Sequence, residues 1–465
     1  MSSRKFYSLA AAAVAVAACL APCTPVLASG FAIARFGGEL GTVVATNPTA
    51  IYYNPGALGF QGTQLFLDGQ LALRSLQWTH AAGQGDVPEP AGFAGANYGT
   101  ASAFNVFGGP MLGATLKLGN VVLGAGAYAP FGGQVHFDRN EAFANTMYPG
   151  AADGVARWHA YQAKTQSIYA TLGAAVRFGP LSLGATGNLI FSSLSLDGAK
   201  NLNGGGMGIN DLTSEGRTYL DVSGTNASFA VGAMLEAVPD QLWFGASYQA
   251  QPGLGAMRMD GTLELDASKA LADKTAVRDV SFNQALPDVI RFGVRYRPSA
   301  KLELRLASDF TRWSVMQTQC LGIKGKPCTV LADGGAAPNS GVIVNLRRNW
   351  DNTFGVRGGG SYWVVPQLEA FIGAGYETAA NPASTIEPTV ADADNIAAAL
   401  GARLEIAKTW FVALSYTHLQ FLPRNTTGQS HLADPTIQLI TRRPDGGGDY
   451  QQWVGVIDAN VSKQF

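Results

Sequence analysis

The sequence predicts an all-β protein: a 14-stranded antiparallel transmembrane β-barrel whose lumen holds an N-terminal plug. Three observations predict it. Apolar side chains recur at every second position in segment after segment, short turns alternate with long polar loops, and the composition is too poor in charge for a surface that faces only water. Charged residues make up 14% of the 465 and hydrophobic ones 47%, where a soluble domain carries roughly 25% charged residues. The 57 glycines favour many strands and turns. With Lys+Arg 32 against Asp+Glu 33, the chain lacks the basic footprint of a nucleic-acid binder.

The chain opens with Arg4 and Lys5, an almost uncharged run from Phe6 to Leu20, and Val26-Leu27-Ala28. A charged start, an apolar core too short to span a bilayer and a small-residue end describe a signal peptide. Residues 1–28 are therefore expected to be removed, leaving Ser29 first. Two other readings stay open: an ordinary helix, disfavoured because the run has no polar face, and a lipoprotein box, Val16-Ala17-Ala18-Cys19, that would acylate Cys19. Residues 29–62 show no alternation and are dense in turn formers, among them Gly37-Gly38, Asn47-Pro48 and Asn54-Pro55-Gly56. A compact stretch ahead of the first strand fits the lumen as a plug.

From residue 63 to 465 the period is two. Leu65, Leu67, Leu71 and Leu73 share one parity, with Asp68, Gln70 and Arg74 on the other. The same holds for Leu242, Phe244, Ala246 and Tyr248, for Phe292, Val294 and Tyr296, and for Leu302, Leu304 and Leu306. Such segments are strands with one apolar and one polar face. No apolar run of about 18 residues follows residue 28, so no membrane helix is available. Short breaks fall near Gly119-Asn120, Gly179-Pro180, Pro239-Asp240, Pro298 to Ala300, Val365-Pro366 and Ala407-Lys408. Longer polar stretches fall at 81–107, 138–161, 198–216, 266–274, 321–344, 379–395 and 425–447. Tight turns on one side, long loops on the other and an even strand number are the pattern of a bacterial outer-membrane barrel, so a multi-pass place in the outer membrane of a Gram-negative cell is expected.

The last strand agrees. Trp453, Ile457, Ala459, Val461 and Phe465 share one parity, and the chain ends on an aromatic residue, the usual recognition signal of the outer-membrane assembly machinery. Lys463 departs from that signal, since an aromatic or aliphatic residue normally occupies its parity, and it is expected at the membrane interface, its ammonium reaching headgroups or water. A soluble β-sandwich would explain the alternation but neither the turn asymmetry nor the terminal Phe. Of four cysteines, Cys19 and Cys23 would leave with the signal. Cys320 and Cys328, close together in an exported loop, are expected to form a disulfide. No His or further Cys stands near them to complete a metal shell.

The run Ala45-Thr46-Asn47-Pro48-Thr49-Ala50-Ile51-Tyr52-Tyr53-Asn54-Pro55-Gly56-Ala57-Leu58 resembles the N-terminal hatch of the FadL/OmpP1/TodX family, with Asn54, Pro55, Gly56 and Ala57 as its motif. Further matches are Ala129-Pro130-Phe131-Gly132 in the third strand, Leu286-Pro287-Asp288 entering the eighth and Asp309 to Ser314 in the ninth. Asn349 to Thr353 opens the tenth, and Asp392-Ala393-Asp394 precedes the twelfth. Gly56 and Lys463 depart from the family pattern. The resemblance implies a monomer that carries long-chain fatty acids or aromatic hydrocarbons across the outer membrane. It also implies a hydrophobic groove at the external loops, a second site near the mature N-terminus, and sideways exit beside a kinked third strand. The third strand, Val121 to Phe137, is the most glycine-rich of the set. Its Gly124, Gly126, Pro130 and Gly132 make it the cheapest place for a gap between strands, although close packing against the hatch would explain them as well.

Candidate ligand-binding residues are Phe31, Ile33 and Phe36 near the mature N-terminus, Leu202, Met207, Ile209 and Leu212 in the third long loop, and Met257 and Met259 near the fourth. Loop Met and Leu suggest an exposed hydrophobic surface. By parity Arg291, Arg295, Arg305 and Arg357 face the lumen; Arg295 is the candidate for a carboxylate headgroup, with pairing to carboxylates such as Glu303 the other reading. The histidines are scattered without metal spacing, and no nucleophile elbow or phosphate loop is present. No cofactor and no enzymatic activity are therefore expected, although a Ser, His and Asn hydrolase built from strand ends needs no local motif. Expected partners are a hydrophobic small molecule, outer-membrane lipid and the assembly machinery. The alternative function is a structural or adhesive barrel whose loops bind an external partner.

Overall fold

The structure, a computed structural model, describes residues 35–81, 95–138, 154–201, 215–266 and 276–465. The expected signal peptide, with Cys19 and Ser29, lies outside the described residues. Six continuous strands come first: β1 Gln64–His80, β2 Gly99–Leu118, β3 Val121–His136, β4 Gln162–Phe178, β5 Leu181–Asn201 and β6 Glu215–Val238. Four broken strands follow: β7 (Leu242–Gln249 and Ala256–Asp266), β8 (Ala276–Ala285 and Val289–Ser299), β9 (Leu302–Thr311 and Thr318–Ile323) and β10 (Val342–Arg347 and Thr353–Val365). The last are β11 Leu368–Glu377, β12 Asn395–Glu405, β13 Trp410–Phe421 and β14 Asp449–Gln464. Each strand is antiparallel to its neighbours, and β14 pairs with β1 from Gln64↔Gln464 to Thr79↔Asp449, closing a 14-stranded barrel.

The alternation sets the two faces. On β1, Leu65, Leu67 and Leu71 are exposed while Asp68, Gln70 and Arg74 are buried inside. Leu172, Ile372 and Leu400 leave 71%, 69% and 61% of their surface uncovered, a band that only lipid can cover. The six tight turns fall at the expected breaks. The strands run farther toward the long loops than their pattern showed: β2 starts at Gly99 rather than after 107, and β5 and β6 pair out to Asn201↔Glu215. Gly, Ala, Ser, Thr and Asn crowd these outer ends, as in Gly99 to Ser102 and Gly198 to Asn201, and from sequence such a stretch reads as loop.

Strands β7 to β10 break at residues 250–255, 286–288, 312–317 and 348–352. The inner halves pair in register across these ends, Gln249↔Val289↔Thr311↔Thr353, so the breaks lie at one height. Two expectations are corrected here. Leu286-Pro287-Asp288 and Asn349 to Thr353 do not open the eighth and tenth strands; each lies in mid-strand with an outer half beyond it. Pro287 cannot donate to a ladder, and Asn349 takes φ 48°, so from sequence both read as strand ends.

The N-terminal segment folds as a turn at Gly38–Leu40, a single helical turn α1 (Ala50–Tyr53) and a 3-10 helix at Pro55–Phe60. It is almost wholly buried and touches inward groups around the ring. The Gly37 amide donates to Asp68 on β1 (3.2 Å), Arg295 on β8 to the Thr46 hydroxyl (3.0 Å), and the Ser247 hydroxyl on β7 to the Tyr53 carbonyl (2.6 Å). Asn54 anchors it, donating to the carbonyls of Val43 (2.8 Å) and Ala233 on β6 (3.0 Å) and accepting from the Gly56 amide (2.9 Å). At the tight-turn rim the Lys463 ammonium lies between the rings of Trp410 (5.0 Å) and Phe465 (4.7 Å). A cation there keeps aromatic company in place of an apolar side chain. At the opposite end Cys320 and Cys328 are joined, their Cα atoms 6.2 Å apart.

Candidate functional site

At the long-loop end, the inward faces of β3 to β10 line a cavity that opens to solvent. One cross-strand row supplies much of the wall, Val135↔Ala163↔Leu196↔Leu220↔Leu263. Buried Met259, Phe282 and Leu321 pack with it. A row of five apolar side chains at one register on adjacent strands makes a continuous dry surface. Arg74, Lys200, Arg348 and Arg443 also border the space. Arg348 and Arg443 are committed to buried Glu387, at 2.5 Å and 3.2 Å, and His159 lies 3.5 Å from the same carboxylate. Burial alone would push Glu387 up, but Arg348, Arg443 and His159 outweigh it and hold the carboxyl well below the usual range.

Below this cavity the lumen is filled with aromatic rings. Trp350 meets Trp313 edge-on (centroids 4.9 Å), Trp313 meets Phe131 (6.5 Å), Phe131 meets Tyr169 (6.4 Å), Tyr169 stacks on Tyr128 (5.7 Å), and Tyr128 meets Phe36 (5.5 Å). The two tryptophans hang from the breaks of β9 and β10, which turn side chains inward that a straight strand would carry elsewhere. Val390 on the cavity wall and Ile51 and Leu58 on the N-terminal segment belong to the same apolar cluster. Apolar side chains therefore run without interruption from cavity to segment.

The chain of rings passes beside an interruption of the β2–β3 ladder, the β2–β3 gap. The β2–β3 ladder covers only Leu112–Leu118 against Val121–Ala127. Beyond it β2 stays on β1, and β3 follows β4 alone. Between Tyr128↔Tyr169 and Phe131↔Ser167 two residues of β3, Ala129 and Pro130, oppose one of β4. This bulge reverses parity, so Val122 and Tyr128 point inward before it and Phe131 and Val135 after it. The strands meet again at the rim, where the Asp138 amide donates to the Ser102 carbonyl (2.7 Å) and Asn105 to the His136 carbonyl (3.3 Å). Between the ladder end and the rim, β2 and β3 share no ladder pairs, and Phe131 stands at this level.

The sequence profile of the outer membrane transport proteins OMPP1/FadL/TodX matches residues 8–441. The chain belongs to this family. It is accordingly a multi-pass outer-membrane β-barrel. Its fold is similar to that of a Pseudomonas aeruginosa FadL homologue (17% identity, TM-score 0.71, 96% of this chain and 99% of that one). It is also similar to the Ralstonia pickettii toluene transporter TbuX (16%, 0.60, 93% and 97%) and the P. putida toluene transporter TodX (15%, 0.62, 93% and 98%). A comparison with curated protein sequences gave no match.

In this family setting the candidate residues fall into three groups. Phe36 joins the aromatic chain, and Met257 and Met259 are fully buried on β7, facing inward. The expectation of an exposed loop surface at the two methionines is thereby corrected: they back the path and the cavity wall. Phe31, Ile33, Leu202, Met207, Ile209 and Leu212 lie outside the described residues. Arg295 stands away from the cavity, over the Trp243 ring (3.8 Å) and 3.9 Å from Glu303; Arg305 pairs with the same Glu303 at 2.8 Å.

Of the β3 group, Gly124 and Gly126 belong to the paired stretch. A Cβ on either would sit 3.0–3.1 Å from Ile51 or Leu58, so they serve close packing. Pro130 and Gly132 lie in the unpaired stretch. Sequence reasoning missed Arg74, Lys200, Arg348, Arg443 and the Trp313–Trp350 pair. Inward parity marked Arg74, but nothing local said that its neighbour would be a cavity.

Proposed function

We propose that the chain takes up hydrophobic compounds through the outer membrane without an energy source. A ligand enters the cavity at the external loops, moves down past the aromatic chain and leaves sideways through the β2–β3 gap into the bilayer. Residues 29–62, following a signal peptide at 1–28, act as a hatch that blocks the route to the periplasm, and residues 63–465 form a barrel that works as a monomer in lipid after insertion by the assembly machinery. Long-chain fatty acids and aromatic hydrocarbons are the substrate classes considered. The observation that carries the reading is the end of the β2–β3 ladder at Leu112↔Ala127, beside the rings that lead from the cavity. Buried methylenes contribute about 0.8 kcal/mol each, so affinity should rise about fourfold per CH₂ along a homologous series. The test deletes Pro130, which removes the extra residue of the bulge and lets β3 continue in one parity. The deletion should leave ligand binding in detergent intact and stop uptake of labelled oleate or toluene by cells. Undiminished uptake would refute lateral exit.

A further inference from the structure

We infer that Arg74 is the headgroup receptor of the outer cavity and, at the same time, the clasp of the β2–β3 gap, so that a carboxylate amphiphile opens its own exit while a neutral hydrocarbon does not. This inference rests on the transport reading above and assigns its anion selectivity to one side chain.

Arg74 is 3% exposed. Among the described residues it has no carboxylate within 4.0 Å, whereas the cavity's Arg348 and Arg443 are both paired with Glu387; the acid whose field it feels is Asp392. A guanidinium cannot shed its charge, and one held in a dry wall without a counter-ion is costly unless an anion joins it. Its hydrogen bonds go to neutral groups: Nε and Nη2 donate to the Gln452 side-chain oxygen (3.3 and 2.8 Å), and Nη1 donates to the Gln134 carbonyl (3.3 Å).

The last partner matters most. Gln134 lies on the stretch of β3 that has left β2, and it borders the cavity. Arg74 thus reaches from β1, behind β2, to hold a backbone carbonyl of the detached strand. A carboxylate binds a guanidinium as a two-pronged, charge-assisted pair, stronger than a bond to a neutral carbonyl. When it takes the Nη1 donor, the Gln134 carbonyl is released and β3 loses its tie at mid-gap, while the rim bonds between Asp138 and Ser102 and between Asn105 and His136 remain as the hinge. Oleate places its tail along Val135 and Leu196 from such an anchor; oleyl alcohol or toluene has no group that competes for the fork.

The experiment compares oleate with oleyl alcohol on the purified full-length barrel in detergent, with spin labels at Val106 on β2 and Gln134 on β3. In the wild type, oleate should bind at least tenfold more tightly than in Arg74→Gln and should lengthen the label separation, while oleyl alcohol should bind with less than a twofold difference between the two proteins and leave the separation unchanged. Arg74→Lys, which keeps the charge but loses the fork, should retain part of the oleate affinity and show the longer separation without ligand. Equal oleate affinity in wild type and Arg74→Gln, or a separation that oleyl alcohol lengthens as oleate does, overturns the assignment. Failure of the wild type to bind either compound overturns the transport reading instead. Heat-modifiable migration on gels confirms that each variant is a folded barrel before it is scored.

Discussion

Gly56→Ala offers a sharp test, because it would install the residue the family usually carries and is nonetheless expected to harm this chain. An ideal Cβ at Gly56 falls 2.6 Å from the Ala233 Cα and 2.7 Å from both the Ala233 nitrogen and the Gly232 carbonyl carbon. Ordinary contact begins at 3.4 Å, so the 3-10 helix at Pro55–Phe60 must retreat by roughly 0.8 Å. It cannot slide freely, because Asn54 ties it to the Ala233 carbonyl on β6 at 3.0 Å. The Gly232 and Ala233 atoms that face the new Cβ cannot give cheaply, since they are strand backbone. Overpacking of this kind costs about 1–3 kcal/mol, which multiplies the population of a loosened N-terminal segment by roughly 5 to 150. Amide hydrogen exchange over residues 36–62 reads that population directly, with the barrel amides of β12 and β13 as an internal standard. Faster exchange by about that factor, confined to the segment, is the expected outcome. Unchanged protection would show that the segment is not seated by this backbone contact, and the argument from Gly56 would fail.

Two further substitutions probe the external end. Glu387→Gln leaves Arg348, Arg443 and His159 without their carboxylate; losing one partner of a buried ion network costs about 3–5 kcal/mol, so limited proteolysis should cut the loops around residues 380–390 and 426–448 far faster than in the wild type, with β-sheet circular dichroism retained. Asp392, in the loop before β12, is pushed up to about 7 by burial, aided by Glu377 and opposed by the Ala380 amide and Arg424. Its folded state therefore holds a proton that the unfolded state gives up near pH 4, and stability falls as pH rises from about 4 to about 7, by a few kcal/mol on the order of the shift. Asp392→Asn should flatten that decline in thermal melts taken between pH 4 and 8; an unchanged slope would refute it.

The barrel was legible because its physics is repetitive. Leucines at 65, 67 and 71 repeat every second residue, and Gly119-Asn120 and Gly179-Pro180 are turn chemistry with positive φ at the glycine. The site was less so, for a physical reason. Trp313 and Trp350 lie in the breaks of β9 and β10, which fall at a shared height, and no residue announces a break that only the neighbouring strands make coherent. Likewise the parity switch at Pro130 looks, in one dimension, like an imperfect strand. Arg74 carried the right parity, but its isolation from carboxylates depends on β14 and the Asp392 loop, hundreds of residues away.

The segment at residues 35–62 also constrains how the molecule is made. Gly37 is held by Asp68 on the first strand, while Gly38, at a positive φ of 54°, lies against Asp458 on the last and beside the Ser415 hydroxyl on β13. A stretch synthesised early is gripped by the last strand to be made. A ring that zipped shut empty would leave no doorway for it, so sealing the β1–β14 seam and seating its occupant are one event, and contacts nearly 400 residues apart in sequence must wait for the finished chain.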